Sequence, residues 1–301
     1  VGTATPAATL GNGAALYEGI AIDTATGRLF ASSVRENRIV VVKDGVASEF
    51  VPASAGLWSV FGLAVDQKNG LLWAASSAGP QTAGATSETY GAAGVFAFDL
   101  ATGEVKRKAV LPPDGKAALA DLAVAPDGTV YVSDSANGRF YRLAPGADAL
   151  EPFAVDDRWV SPQGMAVVGE GAVLIAADYA MGLYGIDTKT QRIWPIPVPS
   201  GTTVLGIDGL SGDGTLLMAT QNGVNPQRVL RLAMGEDWTR VRQVAVMAAN
   251  LPQHREITLG QVAGDAFYYI ANSQWDRFAE DGAQADDEPF MDTVVLKVTV
   301  K

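Results

Sequence analysis

A short motif recurs along the chain and sets the pattern of its apolar residues. Each copy has a small or polar residue, usually a glycine, alternating apolar residues, a turn rich in Asp and Gly, and four or five further apolar residues. The steps between the six copies are 43, 59, 43, 45 and 50 residues. This period is close to that of a four-stranded propeller blade and too long for leucine-rich or ankyrin repeats. The copies begin at Glu18, Phe61, Ala120, Gln163, Asp208 and, more weakly, Thr258.

The third repeat shows how each unit is expected to fold. Its short apolar and β-branched runs are separated by Pro126-Asp127-Gly128 and Asn137-Gly138, which are turn sequences. Helical spacing of apolar residues is not sustained, because Gly or Pro interrupts almost every window. The pattern therefore predicts antiparallel strands at residues 122–125, 129–133, 140–143 and 150–154.

Two insertions and a missing strand complete the prediction of the fold. Residues 77–93 and 274–292 are inserted between the second and third strands of repeats two and six. The last repeat has only three strands before the chain ends, so residues 5–10 are predicted to supply the fourth. We therefore predict an all-β protein, a six-bladed β-propeller with four antiparallel strands per blade. The ring is closed by an N-terminal strand and forms one domain over residues 1–301.

Composition narrows the chemistry that this fold can carry. The 301 residues include no Cys and one His, His254, and the net charge is −11. Thiolate catalysis, disulfides and sites built from several His or Cys ligands are thereby excluded. No apolar stretch spans a membrane and no basic tract suits nucleic acid, so we expect neither partner. A small-molecule substrate bound by oxygen-containing side chains is the remaining expectation.

The repeat geometry predicts where such a site lies. The residue before the first strand and the loop after the second strand of each blade share one face of the disc. Glu18 and Asp208 occupy equivalent repeat positions, so both carboxylates are expected in one channel, where they repel each other unless paired, protonated or metal-bound. Oxygen ligands favour a hard cation, with Ca²⁺ first and Mg²⁺, Mn²⁺ or Zn²⁺ as alternatives. The alternative is that each carboxylate bonds amides of its own loop.

Further polar residues are predicted at the same mouth. His254 lies in the connection to the sixth blade and is a candidate general acid or base, or simply an exposed loop residue. The other candidates follow the second strands or, for one of them, adjoin the repeat position in blade three. They are predicted to contact substrate or, alternatively, to stabilise loops and turns: Asp121, Asp134, Asp178, Gln221, Asn222 and Asn272.

The motifs at Glu18-Gly19, Gln163-Gly164-Met165 and Asp208-Gly209-Leu210 resemble the SMP-30/gluconolactonase/LRE-like family. The resemblance implies a six-bladed propeller with one divalent cation held by Glu18, Gln163 and Asp208. It also implies hydrolysis of a lactone or related ester, with Asp208 as the base that deprotonates water. Two positions depart from the family pattern: Gln163 replaces an Asn, and Ala120 with Asp121 beside it stands where another Asn is expected.

Two other classes of function stay open at this point. A non-catalytic propeller would use the same mouth to bind a ligand or partner, and a metal-free enzyme resembling strictosidine synthase would use one channel carboxylate as a proton shuttle. The start without Met favours an exported or periplasmic protein, with a cytoplasmic one as the alternative. The oligomeric state is left open.

Overall fold

A computed structural model shows six four-stranded antiparallel sheets arranged as the blades of a propeller. It describes residues 3–43, 45–285 and 287–300. In each blade the strands follow one another in chain order, except that the last blade takes its outer strand from the N-terminus. The predicted all-β, six-bladed fold is confirmed.

The strands are numbered in chain order. Blade one contains β2 (Tyr17–Asp23), β3 (Arg28–Ser33), β4 (Ile39–Lys43) and β5 (Val46–Val51). Blade two contains β6 (Ser59–Asp66), β7 (Leu71–Ser77), β8 (Ala93–Asp99) and β9 (Val105–Val110). Blade three contains β10 (Leu119–Val124), β11 (Val130–Asp134), β12 (Arg139–Leu143) and β13 (Glu151–Val155). Blade four contains β14 (Pro162–Val168), β15 (Val173–Asp178), β16 (Gly182–Asp187) and β17 (Ile193–Pro195). Blade five contains β18 (Ile207–Ser211), β19 (Leu216–Gln221), β20 (Arg228–Met234) and β21 (Val241–Ala249). Blade six contains β22 (Gly260–Ala263), β23 (Ala266–Ile270), β24 (Thr293–Thr299) and β1 (Thr5–Gly11).

The N-terminal strand closes the ring as predicted. β1 runs antiparallel to β24, with Thr5 opposite Lys297 and Gly11 opposite Thr293. Its pairing converts three C-terminal strands into a full blade and covers a sheet edge that would otherwise present unpaired backbone groups. The two ends of the chain are therefore joined by a backbone ladder rather than by a disulfide.

The hydrophobic core is divided among the interfaces between neighbouring blades. Six clusters of buried residues occur in the described chain, and each combines side chains of two adjacent blades. Phe30 of blade one, for example, shares a cluster with Phe96 of blade two. Because apolar faces pack between blades, the central channel is left to the inner strands β2, β6, β10, β14, β18 and β22.

The two insertions form a wall on one side of the mouth. Arg35, in the loop of blade one, donates to the Gly282 carbonyl at 2.9 Å, and Asn37 beside it donates to the Ala83 carbonyl at 2.9 Å. A methyl group added to Gly282 would clash with the Pro80 carbonyl, so the two insertions also touch each other. Blades six, one and two thus carry one continuous rim. No helix in residues 3–43, 45–285 and 287–300 has the length and apolarity to cross a bilayer.

Candidate functional site

A bulge in the inner strand of five blades directs side chains into the channel. Tyr17 pairs with Ser33 and Ile20 with Ala31, so Glu18 and Gly19 together face a single residue of β3. The same irregularity occurs in β6, β10, β14 and β18. Such bulges re-aim a side chain locally and are frequent beside functional sites. In these five blades the recurring motif of the sequence is therefore the place where a residue is presented to the axis.

The glycine of the motif lets neighbouring inner strands approach closely. A methyl group on Gly19 would clash with the Phe61 carbonyl, and one on Gly164 would clash with the backbone of β18. The bulge leaves one backbone amide outside the strand pairing, and this amide donates to a hydroxyl group of the second strand. Ser32 accepts from Gly19 at 2.8 Å, and Thr220 accepts from Gly209 at 2.8 Å.

Five of the six repeat positions line one cavity at the predicted mouth. This mouth cavity has a volume of about 240 Å³. All six blades contribute polar or apolar residues to its lining. They are Glu18, Phe61, Ala120, Ser135, Gln163, Tyr179, Asp208, Asn222, Leu259 and Trp275. The sequence prediction that Glu18, Gln163 and Asp208 meet is thus matched by the geometry.

Glu18 is buried and held by residues of blade six. The Trp275 indole N–H donates to Glu18 Oε2 at 2.7 Å, and the Ser273 hydroxyl lies 3.3 Å from the same oxygen. Trp275 also stacks on Phe61, with ring centroids 6.5 Å apart and planes inclined by 11°. Both of these contacts are made by Oε2, and no hydrogen bond to Glu18 Oε1 occurs among the described residues. One carboxylate oxygen is therefore fixed by the insertion of blade six while the other remains available.

Asp208 is held by an amide network. Asn222 Nδ2 donates to Asp208 Oδ2 at 2.7 Å and to the Ile257 carbonyl at 2.8 Å. Its Oδ1 accepts the Tyr179 hydroxyl at 2.9 Å, which fixes the orientation of the amide. The predicted site residue Asn222 therefore lies in the cavity, where it positions the Asp208 carboxylate.

The cavity is an electrostatically strained environment for its acids. Burial, and then the charge of Asp208, raise the pKa of Glu18 well above its ordinary value. Burial raises the pKa of Asp208 to about 6, against the opposing Asn222 hydrogen bond, and Glu256 adds to the rise. Without a counter-charge, ionising both groups together is unfavourable.

The oxygen atoms around the cavity are compatible with a hard cation. Gln163 Nε2 donates to the Ser161 hydroxyl at 2.9 Å. In the described part of the chain, no group donates a hydrogen bond to Gln163 Oε1. Two carboxylates and an amide oxygen are ligand types that Ca²⁺ and Mg²⁺ take. Within residues 3–43, 45–285 and 287–300, however, no group of three Asp, Glu or His side chains is arranged as a metal site. Any cation here would depend on amide, backbone or solvent oxygens as well.

Asp121 does not line the mouth cavity but a second cavity in the channel, towards the opposite face of the propeller. It occupies the position that is glycine in the other bulges, and it lines a second cavity of about 170 Å³ beside Asp213 of the opposite face. Its Oδ1 accepts the Leu122 amide at 2.8 Å. Burial raises the pKa of Asp121 well above the usual value, and Asp208 contributes to the rise. Asp121 thus influences the mouth cavity through its charge, although it does not line it.

The residues that end the second strands stabilise loops instead of lining the cavity. Asp178 accepts the amides of Val160 and Ser161 through Oδ2 and those of Ala180 and Met181 through Oδ1. The other three candidates at this position are similarly engaged. Asp134 binds the Ala118 and Ala136 amides, Gln221 binds the Thr203 and Leu205 carbonyls, and Asn272 binds Asp292 and Val294. Asp134, Asp178, Gln221 and Asn272 do not line the mouth cavity, and backbone groups bond their side chains, so their contacts with substrate stay a prediction.

His254 lies on the mouth face but in a neighbouring pocket. Its Nε2 is 2.8 Å from the Tyr269 hydroxyl, and the pocket of about 500 Å³ around it includes Glu256 and Asp276. Burial lowers the pKa of His254, which favours the neutral imidazole. Its predicted role as general acid or base stays a prediction, and no lining residue of the mouth cavity touches its ring.

Glu256 is a feature near the site that the sequence did not reveal. The charge of Glu256 helps to raise the pKa of both Glu18 and Asp208, and burial raises the pKa of Glu256 itself. The backbone of Glu256 has a φ of 58°, in the left-handed region. This conformation is uncommon for Glu, and no sequence motif predicts it here. Tyr179 and Trp275 line the cavity with their rings and use their polar hydrogens to hold Asn222 and Glu18.

Solved structures provide the comparison with known proteins. A gluconolactonase from Xanthomonas campestris is 17% identical with a TM-score of 0.61, and the match covers 96% of this chain and 88% of that protein. A luciferin-regenerating enzyme is 12% identical with a TM-score of 0.62, covering 95% and 91%. The PQQ-bound aldose sugar dehydrogenase from Streptomyces coelicolor is 15% identical with a TM-score of 0.64, covering 99% and 98%.

These likenesses are structural, and the proteins concerned carry different chemistries. No protein-family model matches the sequence, and none of the curated proteins matches it either. At such identities the shared property is the propeller itself, on which unrelated reactions are built. The chain is thus similar along nearly its whole length to six-bladed propellers that include the gluconolactonase and luciferin-regenerating enzyme of the SMP-30/gluconolactonase/LRE-like group.

Proposed function

We propose that the mouth cavity is the active site of a hydrolase that opens a lactone or a related ester. The observation that carries the proposal is the meeting of the buried carboxyl groups of Glu18, from blade one, and Asp208, from blade five, in one small cavity. The gluconolactonase among the structural neighbours supports this reaction class. The cavity has no Cys or His lining it, so attack by water suits its residues better than a covalent nucleophile.

We further propose that Glu18, Gln163 and Asp208 hold a divalent cation, with Ca²⁺ as the first candidate. When bound, such a cation supplies the positive charge that lets both carboxylates ionise and that polarises a substrate carbonyl. Trp275 and Ser273 orient the Glu18 carboxylate through Oε2. The aromatic rings of Phe61 and Trp275 exclude water from one side of the cavity.

Asp208 is the proposed base. Asn222 fixes its Oδ2, which leaves Oδ1 to accept a proton from the attacking water. Tyr179 holds the Asn222 amide and so keeps the carboxylate in one orientation. Proton transfer of this kind requires a carboxylate within hydrogen-bond reach of the water, and the cavity is small enough to confine that water.

Cation binding tests the proposed ligands directly. Calorimetry of chelator-treated protein with Ca²⁺, Mg²⁺, Mn²⁺ and Zn²⁺ is expected to show one site. Glu18→Gln is expected to weaken that site by about tenfold or more, because one charged ligand is lost. Glu280→Gln, on the exposed surface of the same insertion, is the matched control and leaves affinity unchanged. Equal affinity in Glu18→Gln would place the cation elsewhere.

Hydrolysis tests the proposed base. A panel of lactones and aryl esters is expected to contain substrates, with Asp208→Asn lowering kcat by about 100-fold or more. Asp265→Asn, in an exposed turn of the opposite face, serves as control. Full activity in Asp208→Asn would show that Asp208 is not the base. A protein that binds the cation but hydrolyses nothing would be a non-catalytic propeller.

A metal-free enzyme is the second candidate. It is favoured by the lack, among the described residues, of three acidic or His side chains grouped around one point. In that case one channel carboxylate carries a proton for a reaction without a cation. Activity that survives exhaustive chelation, together with no heat of binding for any of the four metals, would favour this candidate over the first.

A further inference from the structure

The rim of the mouth differs sharply from one side to the other. Blades six, one and two carry the wall formed by the two insertions, which Arg35 and Asn37 join to the loop of blade one. Blades three, four and five have only short loops after their second strands. A molecule too large for the cavity therefore leaves it over the low side of the rim.

Exposed apolar side chains lie on this low side. Val160, Met181 and Leu205 are exposed to 60%, 46% and 48%. Val160 and Leu205 belong to the connections into blades four and five, and Met181 to the loop after β15. We call these three residues the apolar rim.

The three residues of the apolar rim lie on neighbouring segments of the chain. Asp178 binds the amides of both Val160 and Met181 and so holds their segments side by side. A methyl group on Gly182 would contact Leu205 Cδ2 at 3.7 Å, which places Leu205 next to the Met181 loop. The segments that carry Val160, Met181 and Leu205 therefore lie next to one another.

Tyr179 connects the apolar rim to the mouth cavity. It lines the cavity and lies two residues before Met181. Its carbonyl accepts the Gly206 amide at 2.7 Å, directly after Leu205. An extended molecule that leaves the cavity past Tyr179 therefore reaches the segments of Met181 and Leu205.

The size of the cavity determines how much of a ligand it can enclose. Its volume of about 240 Å³ lies below the range of about 300–1,000 Å³ that encloses drug-sized ligands. A reacting ring or ester group fits, whereas a longer substituent must extend outside. Hydroxyl groups of a sugar would find few partners on the apolar rim, because Asp178 and Gln221 beneath it are occupied by backbone groups.

We propose that the apolar rim is a subsite for an alkyl chain, and that the substrate is a lactone or ester bearing such a chain. This inference rests on the proposed function and specifies its substrate class. The chain gains by covering aliphatic surface, while the carbonyl group stays in the polar cavity. The net charge of −11 makes an anionic membrane surface a poor alternative occupant.

A homologous series of lactones tests the subsite. The substituent on the ring carbon next to the ring oxygen is lengthened from methyl to octyl, and kcat/KM is measured for each member. We expect kcat/KM to rise about two- to fourfold per methylene until the rim is covered, fourfold being the value for complete burial. In Met181→Ser and Leu205→Ser the rise is expected to flatten, while the methyl member is hydrolysed as before.

The control and the contrary outcomes separate the two proposals. Val46→Ser changes a residue of the opposite face that is 67% exposed and should leave the dependence on chain length intact. Hydrolysis without any dependence on chain length, or the same dependence in all variants, overturns the subsite but not the hydrolase. If no lactone or ester reacts, the hydrolase fails, and calorimetry with octanoate then decides whether the rim binds alkyl chains. Self-association that disappears in Leu205→Ser would assign the rim to a second copy of the chain and overturn the subsite.

Discussion

At the scale of single residues, the two channel carboxylates have different surroundings. Glu18 receives an indole N–H from the insertion of blade six, whereas Asp208 receives an amide from a loop of its own blade. Each has one oxygen engaged, and both lose solvation. The cavity therefore holds its acids in position at an electrostatic cost, which is the usual situation where a protein keeps charged groups for function.

The cost can be measured as a dependence of stability on pH. Burial raises the pKa of Asp208 to about 6, so the metal-free native state binds this proton more tightly than the unfolded chain does. The stabilising effect is complete below about pH 4 and disappears as the pH rises through about 6. Asp208→Asn is expected to remove this decline and to stabilise the metal-free protein at pH 8 by on the order of 2–3 kcal/mol. Urea unfolding between pH 4 and 8 with chelator present measures it, and an equally steep decline in the variant would contradict it.

Residue position was easier to predict than side-chain direction. The repeat correctly placed Glu18, Gln163 and Asp208 at one mouth, because equivalent residues of equivalent strands meet at the axis. The same reasoning assigned Asp178 to the mouth, although its carboxylate turns toward four loop amides. A polar residue at a strand end has both options, and the choice depends on which backbone groups lie within reach after folding.

At the scale of secondary-structure elements, the ends of the second strands act as clamps between blades and loops. Asp178→Ala leaves four amides without their acceptor, so we expect a loss of about 3 kcal/mol in the free energy of unfolding. Asp156→Ala is the control, because that carboxylate pairs with the exposed Arg158 and should cost less than about 1 kcal/mol. Equal losses in the two variants would show that the clamp contributes nothing special.

The elements themselves were predictable from turns and periodicity, because each blade is a local meander. The strands of the third repeat lie within a few residues of their predicted positions, with β10 beginning at Leu119 instead of residue 122. That difference has a physical reason: the bulge at Ala120 and Asp121 keeps the strand paired beyond an irregularity that interrupts the alternation of apolar residues. Contacts between the insertions, in contrast, join distant segments of low sequence regularity, and no periodic signal announces them.

At the scale of the whole molecule, the ring depends on the pairing of β1 with β24. This ladder keeps blade six complete, and blade six supplies both Trp275 to Glu18 and the Ile257 carbonyl to Asn222. Opening the ring should therefore weaken the candidate site as well as the fold. Because only the closed ring holds blades one and six against each other, the geometry of Glu18 is a property of the complete circle.

Deleting the chain through Gly11 tests this dependence. The exposed edge of β24 and the lost packing of Leu10 are expected to lower Tm by about 10 °C or more and to promote association between exposed edges. A synthetic peptide of residues 3–11 should bind the truncated protein and restore Tm, because the missing strand needs only its backbone ladder and a few apolar side chains. A scrambled peptide is the control. If the truncated protein unfolds at the wild-type temperature, closure by β1 contributes little, and the ring is held by the blade interfaces alone.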